Sequence, residues 1–231
     1  MKKSKIISSL LLLSVLFHLG TLWAEGEYER ATQAMRDGDY AVAYCVLRPM
    51  AEAGDSDAQY SLGWMYHNGY GLAINDEKAM TWWLRASDKN HVEAMFSMGM
   101  LFELGDSGEQ DYDVAVAYYA HAARRGNEDA QAILRARLGQ WDYPSRGRLK
   151  ELLEEEGELF GGQVYTKRTT NIRRRPAVHH KRVAKLRAGV ALVELGRRGK
   201  WVNVGIIGTQ KIGWVYRKLV TATQPQPKPN S

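Results

Sequence analysis

The chain has 231 residues, one cysteine and a formal net charge of +6. That length holds one mid-sized or two small domains, since typical domains run ~100–150 residues, and a single cysteine excludes a fold stapled by disulfides. The net charge hides an asymmetry: acidic residues outnumber basic ones 24 to 13 from Glu25 to Gly157, and basic outnumber acidic 16 to 2 from Glu158 to Ser231. An acidic front and a basic back imply two surfaces with different partners, or two halves that attract each other.

At the start, Lys2, Lys3 and Lys5 precede an apolar run from Ile6 to Leu19 that ends before a small residue, Ala24. This is the pattern of a secretory signal peptide cleaved after Ala24, with a periplasmic mature protein. A membrane anchor is the rival, but the run is short and contains Ser8, Ser9, Ser14 and His18, whereas a spanning helix needs roughly 20 mostly apolar residues. No integral membrane segment is expected after processing.

From Tyr28 onward the chain repeats itself. Asp57-Ala58, Glu93-Ala94 and Asp129-Ala130 are 36 residues apart, as are Leu62, Met98 and Leu134, and Ala43, Ala79 and Ala115. The same offset relates Gly63 to Gly99, Trp82-Trp83 to Tyr118-Tyr119, and Gly54 to Asn90 to Gly126. Within each period apolar residues fall at helical spacing, so each unit is two amphipathic helices. Gly63, Ala79 and Ala86 let helices approach closely, and Trp82, Trp83, Tyr118 and Tyr119 fill the space between them. Gly69 and Gly71 break the first helix, Gly54 and Gly126 suit a left-handed position after the second, and Asp57 and Asn75-Asp76 stand where caps or first-turn acids belong. Cys45, in an Ala- and Val-rich stretch, reads as a small buried hydrophobe.

The string Ala58-Gln59-Tyr60-Ser61-Leu62-Gly63-Trp64-Met65-Tyr66, then Gly69-Tyr70-Gly71, Asp76, Lys78-Ala79, Trp82-Trp83 and Ala86, resembles the Sel-1-like repeat, a relative of the tetratricopeptide repeat. A second copy runs from Ala94 to Asn127, with Ser107 where the pattern has its second loop glycine. A degenerate first pair covers about Tyr28 to Glu52, and a half unit follows from Ala130 to Leu138. The segment Ser145 to Glu156 reads as a terminal cap helix, with Ser145 as N-cap, Leu149, Leu152 and Leu153 as the apolar stripe, and Glu154-Glu155-Glu156 outward. In the family resembled, the first helix of each unit lines a concave face, which implies that Trp64, His67, Met100 and Glu103 face a groove for a protein partner.

After Gly157 the pattern alternates, with runs such as Gly162 to Thr166, Val190 to Leu195, Trp201 to Val204 and Ile212 to Tyr216 separated by glycines. They read as about five short strands. Asn171-Ile172-Arg173, Pro176, Gly189, Trp201, Val204, Gly213-Trp214-Val215 and Leu219 resemble the bacterial SH3-like domain, with Thr170 in place of the usual leucine and Arg174-Arg175 in place of Ser-Gly. The resemblance implies a small closed barrel over 158–221 and, because such domains act as cell-wall targeting modules, peptidoglycan as ligand. The tail, 222–231, is a proline-rich coil. Lys167-Arg168, Arg173-Arg174-Arg175, Lys181-Arg182, Lys185 and Arg187 crowd the first half of this domain, and Arg173, Arg174, Arg175, Lys181 and Arg182 are the candidate anion-binding set.

No catalytic, cofactor or metal constellation emerges. His67, His91, His121, His179 and His180 show neither metal-ligand spacing nor a partner serine, and the adjacent pair reads as solvated loop. Charge alone would allow nucleic acid, but export leaves peptidoglycan or another envelope polyanion. The sequence therefore predicts an α+β multidomain protein: an α-solenoid of Sel-1-like helix pairs over 25–157, followed by a small SH3-like β-barrel. Its expected role is a non-catalytic periplasmic adaptor that modulates wall remodelling. The alternatives are a structural subunit of an envelope secretion, motility or polymer-export assembly, and a cryptic wall hydrolase.

Overall fold

The computed structural model describes residues 25–106, 108 and 110–225. Residues 1–24, where the sequence leads one to expect a signal peptide, together with Ser107, Glu109 and residues 226–231 of the tail, lie outside them. Among the described residues eight α-helices come first: α1 (25–37), α2 (Tyr40–Ala53), α3 (Ser56–Asn68), α4 (Asp76–Ser87), α5 (Val92–Leu104), α6 (Tyr112–Arg124), α7 (Glu128–Gly139) and α8 (Arg146–Glu156). Seven strands follow: β1 (Gln163–Thr166), β2 (Thr170–Arg173), β3 (Arg182–Leu186), β4 (Ala191–Arg198), β5 (Trp201–Ile206), β6 (Ile212–Tyr216) and β7 (Val220–Thr221). By packing the chain divides into two compact units, one ending at Ala94 and the other beginning at Met95.

Local chemistry sets the helix ends. Asp39, Asp55, Asn75, Asp111 and Asn127 each accept a backbone N–H from the first turn that follows them, supplying one of the four donors a helix start leaves without an intrahelical partner. Asp57 and Asp76 are first-turn acids and not caps. The 36-residue offset is also a backbone repeat: Gly54, Asn90 and Gly126 all turn left-handed, with φ of 99°, 67° and 89°. Asparagine is the side chain that best tolerates this region after glycine, which is why it can replace glycine in the middle copy.

In the first unit α3 packs against α2 and α4. Its core collects Ala31, Ala34, Ala43, Leu47, Ala58, Leu62 and Met65. Gly63 lies against the indole of Trp83, which donates Nε1–H to the Tyr60 carbonyl at 3.1 Å. Cys45 departs from expectation. It is exposed, because the buried stripe of α2 is Ala43, Val46, Leu47 and Ala51, and residue 45 falls off that stripe by helical phase.

In the second unit the same motif recurs, with a Cβ on Gly99 meeting the Tyr119 ring at 2.6 Å. Leu149, Leu152 and Leu153 bury the inner side of α8, while Glu154 and Glu155 are exposed. Ser145 occupies the N-cap position of α8 but makes no side-chain capping bond there. The sheet packs directly on the last helices: Gly205 lies against Leu153, Gly157 against Ile207, and Gly139 against Leu195.

The closed barrel implied by the SH3-like pattern does not form. The sheet is antiparallel and open, in the order β3-β2-β6-β5-β4-β1-β7. Among the described residues β3 pairs only with β2, and the two-residue β7 only with β1, so no ladder joins the two edge strands. The sheet still coils far enough for Val164, Ile172, Leu192, Val202, Val204, Val215 and Val220 to share one core.

Candidate functional site

Two cavities carry the chemistry. The first, in the first unit, is a groove of 410 Å³ lined by Tyr28, Met35, Tyr40, Tyr60, Trp64 and Tyr70 together with Thr32, Arg36 and Ser61. Its wall is a ladder of three rings. Tyr70 stacks on Tyr40 at 4.8 Å and on Trp64 at 4.6 Å. Gly69 and Gly71 flank Tyr70 with φ of 72° and 68°, and a Cβ on Gly71 would strike Cβ of Tyr40 at 2.6 Å. The two glycines thus allow the loop to fold back and insert the tyrosine. Across the groove the Tyr28 and Ser61 hydroxyls share a hydrogen bond of 3.1 Å. Burial pushes the Tyr28 phenol up, against the lowering effect of that bond and with Asp57 and Asp55 adding to the rise, so its hydroxyl stays protonated. Aromatic rings with one polar edge are the side chains that interfaces favour.

In the second unit a buried polar cluster joins α5, α6 and α7. Glu103, 8% exposed, accepts from the Tyr119 hydroxyl at 2.8 Å and from Arg137 Nε at 2.6 Å. The Arg137 guanidinium lies over the Tyr143 ring. Burial, then the Glu103 carboxylate, pushes the Tyr119 phenol well above its ordinary value. The Glu103 carboxylate is thus bonded by two partners inside the fold, while the Tyr143 hydroxyl beside it is buried without a hydrogen-bond partner among the described residues; an internal network of this kind stabilises one packing arrangement rather than presenting a ligand site.

The second cavity, also in the second unit, is a cleft of 910 Å³. Arg174 and Arg175 from the turn after β2 meet Arg146 and Lys150 of α8 there. Trp141 and Trp214 form apolar parts of its lining, and among the described residues no carboxylate lines it. Arg146 is positioned by donating Nε–H to the Leu138 carbonyl at 3.0 Å. Among the described residues there is no cluster of three or more His, Cys, Asp or Glu that could hold a metal ion, and no helix is long and apolar enough to cross a membrane.

Residues 56–91 and 92–127, which cover α3–α4 and α5–α6, each match the model of the Sel1 repeat. The segment 56–127 is a tandem pair of Sel1 repeats. Among solved structures the chain is similar to a protective antigen present in uropathogenic Escherichia coli strains that displays an SLR fold, with 27% identity over 55% of this chain and 27% of that one and a TM-score of 0.48. It is also similar to a Sel1 repeat protein from Oxalobacter formigenes, with 23% identity over 59% of this chain and 65% of that one and a TM-score of 0.48. An immunity protein from Pseudomonas aeruginosa shares 24% identity over 59% of this chain and 54% of that one, with a TM-score of 0.42. The chain thus spans less than two thirds of the length of each.

Within the Sel1 repeats the four residues expected to face a groove have different surroundings. Trp64 is 36% exposed and belongs to the aromatic groove. His67 instead ties α3 to α4, with Nδ1 at 2.6 Å from Asp76 Oδ1 and its ring against Trp83. Met100 is exposed on α5 of the second unit. Glu103 points inward to Tyr119 and Arg137, because a carboxylate one helical turn beyond Gly99 meets the partner ring that Gly99 admits. Trp83 and Tyr119 are core, as expected, while Trp82 and Tyr118 are half-buried. His91 is structural too: Nδ1 accepts the Ala94 N–H at 3.2 Å, which leaves Nε2 to donate to Asp57 at 3.1 Å.

Of the five candidate anion-binding residues, Arg174, Arg175, Lys181 and Arg182 are exposed and Arg173 is half-buried, and none forms an ion pair among the described residues. Arg173 donates Nη1–H to the His180 carbonyl at 2.9 Å, tying the ends of the intervening turn together. Arg174 and Arg175 enter the cleft, whereas Arg173, Lys181 and Arg182 do not line it. Sequence reasoning missed Tyr28, Tyr40 and Tyr60 as one groove and Arg146 and Lys150 as part of a basic cleft. The Gly-Tyr-Gly loop was the available signal for the former; the latter had none, since lysine and arginine on a cap helix look like a solvated face.

Proposed function

We propose that this protein is a non-catalytic adaptor of the bacterial periplasm, in which the Sel1-bearing part holds a protein partner and the basic sheet tethers the chain to peptidoglycan. The sheet would then serve as a bacterial SH3-like module despite its open edges, and the partner would be a wall-remodelling enzyme. The observation that carries this reading is the ring ladder Tyr40–Tyr70–Trp64 beside Tyr28 and Met35. It leaves the exposed Trp64 and the accessible faces of half-buried tyrosines open to solvent at one place. Rigid stacked rings bury area on binding at small entropic cost, since a tyrosine or tryptophan has only two side-chain torsions to fix. The apolar lining fits an apolar side chain of the partner.

A photo-cross-linking residue at position 64, introduced into the full-length protein in cells, is expected to trap a discrete protein adduct. The adduct should vanish with Tyr70→Ala and should be absent when the probe sits at exposed position 29. No adduct at 64 above that control refutes the partner half. Purified protein is expected to pellet with isolated sacculi, to be released as salt rises, and to lose pelleting with Lys181→Glu/Arg182→Glu. Charge reversal is the right perturbation, because deleting 158–231 would strip Leu153 and α8 of the sheet they pack on. Failure to pellet at any ionic strength refutes the wall half. An adduct without pelleting favours a structural subunit of an envelope assembly.

A further inference from the structure

The cleft beside α8 collects positive charge from four parts of the second unit: Arg146 and Lys150 from α8, Arg174 and Arg175 from the β2–β3 turn, Arg198 at the end of β4, and Lys211 before β6. These six cations line 910 Å³ without one carboxylate among the lining side chains. Like charges converging on one space repel each other, and the repulsion is relieved by an anion in that space. Four of the six are arginines, whose planar fork pairs with oxyanions through two parallel N–H donors. The open cleft is far larger than a single inorganic ion requires, so the geometry fits several anionic groups on one chain.

Two further observations narrow the ligand. Trp141, 83% exposed, forms part of the lining, and Trp214 contributes a second, half-buried ring. An indole left so open, next to cations that give no hydrophobic cover, provides a flat platform for an apolar ring face. Asn203 on β5 also lines the cleft. A side-chain amide pairs with hydroxyls as well as with oxyanions. Oxyanions, a ring with apolar faces and hydroxyl donors occur together in a uronic-acid sugar.

We propose that this cleft binds an acidic polysaccharide through the carboxylates and ring faces of consecutive uronic-acid units. The proposal rests on the reading of the basic half as a polyanion-binding surface, and it names a ligand class and a cleft that peptidoglycan tethering does not require. Arg174 and Arg175 hold carboxylates at the mouth, Arg146 and Lys150 hold them along α8, and Trp141 stacks on one sugar.

Isothermal titration of the full-length protein with a galacturonic acid hexamer tests it, with a glucose hexamer, inorganic polyphosphate and oligothymidylate as comparison ligands. The uronate is expected to bind with salt-dependent affinity and the glucose hexamer not to bind. Arg174→Glu/Arg175→Glu should abolish binding. Arg217→Glu/Lys218→Glu, the same change of charge outside the cleft, should leave it nearly intact. Trp141→Ala should weaken uronate binding roughly tenfold, the size of one lost aromatic stack, and leave any polyphosphate binding unchanged. Absence of uronate binding overturns the proposal, as does an equal loss in the Arg217→Glu/Lys218→Glu control. Polyphosphate or oligothymidylate binding as tightly as the uronate, with Trp141→Ala neutral, overturns it in favour of a phosphate polymer. Pelleting with sacculi that persists while uronate fails removes this proposal alone; uronate binding without pelleting removes the peptidoglycan reading alone.

Discussion

Replacing Gly99 with alanine tests whether the small residues of the repeat are steric necessities. In the middle of an exposed helix the change would be favourable by ~1 kcal/mol, because alanine has less backbone entropy to lose. Here the new methyl would stand 2.6 Å from Cε1 and 2.7 Å from Cδ1 of Tyr119. Ordinary contact requires roughly 1 Å more. The ring cannot step aside, since Tyr119 is 1% exposed and its hydroxyl is held by Glu103 at 2.8 Å. Overpacking of this kind costs ~1–3 kcal/mol, and a ring fixed at both ends places it near the upper figure, for a net loss of ~2 kcal/mol after the propensity gain. Gly147, exposed on α8 of the same unit, is the internal control: a Cβ there meets nothing within 4 Å. Gly147→Ala is therefore expected to stabilise by ~0.5–1 kcal/mol. Urea unfolding followed by circular dichroism should show the Gly99→Ala midpoint of the second unit's transition about 1 M lower, for a slope of ~2 kcal/mol/M, and the Gly147→Ala midpoint slightly higher. A Gly99→Ala protein as stable as its parent would refute the claim that glycine is there to admit the ring.

Glu103→Ala is expected to cost ~2 kcal/mol in the same assay, mostly from the buried Tyr119 hydroxyl left without an acceptor; Arg137, a third exposed, can turn to water, which discounts the lost ion pair. Stability should also fall as pH drops from 7 toward 5. Partial burial, then Arg124 and Arg125, holds the His121 imidazole below its ordinary value, so the unfolded chain takes up the proton first and stability is lost on acidification through that window. Thermal melting of His121→Gln should show a flatter dependence over the same range, and an unchanged slope counts against the assignment. Cys45, exposed on α2, should react with a thiol reagent in the native protein within about tenfold of its rate in the unfolded chain, a buried thiol being far slower. Tyr70→Ala should redden Trp64 emission by removing the ring stacked on it, and no change would argue against the ladder.

Much of the helical part was legible in the sequence because its determinants are local. A 36-residue offset, an Asp or Asn before each helix, and Gly54, Asn90 and Gly126 at matching positions specify turns and caps that depend on residues within one helical turn. The change to strands after Gly157 and the positive charge of that half were equally plain. The exposure of Cys45 was legible too, had the phase of Ala43, Val46 and Leu47 been followed around the helix.

What only the tertiary structure decided is which side chains meet. Tyr28, Tyr40, Tyr60 and Tyr70 look alike in a sequence full of tyrosines, and their assembly around Trp64 depends on three helices and a loop packing together. Glu103 could face water or a buried ring until α6 and α7 closed over it. Whether seven short strands close depends on the length of β7 and on the partner left to β3, quantities set by pairing between distant residues. The basic cleft is the clearest case, since Arg146 and Arg198 are separated by more than fifty positions and converge only because α8 packs on the sheet. Local propensity is fixed by neighbours along the chain, whereas a binding cavity is made by neighbours in space, and the burial of apolar surface that brings those together leaves little trace in the cationic side chains it happens to gather.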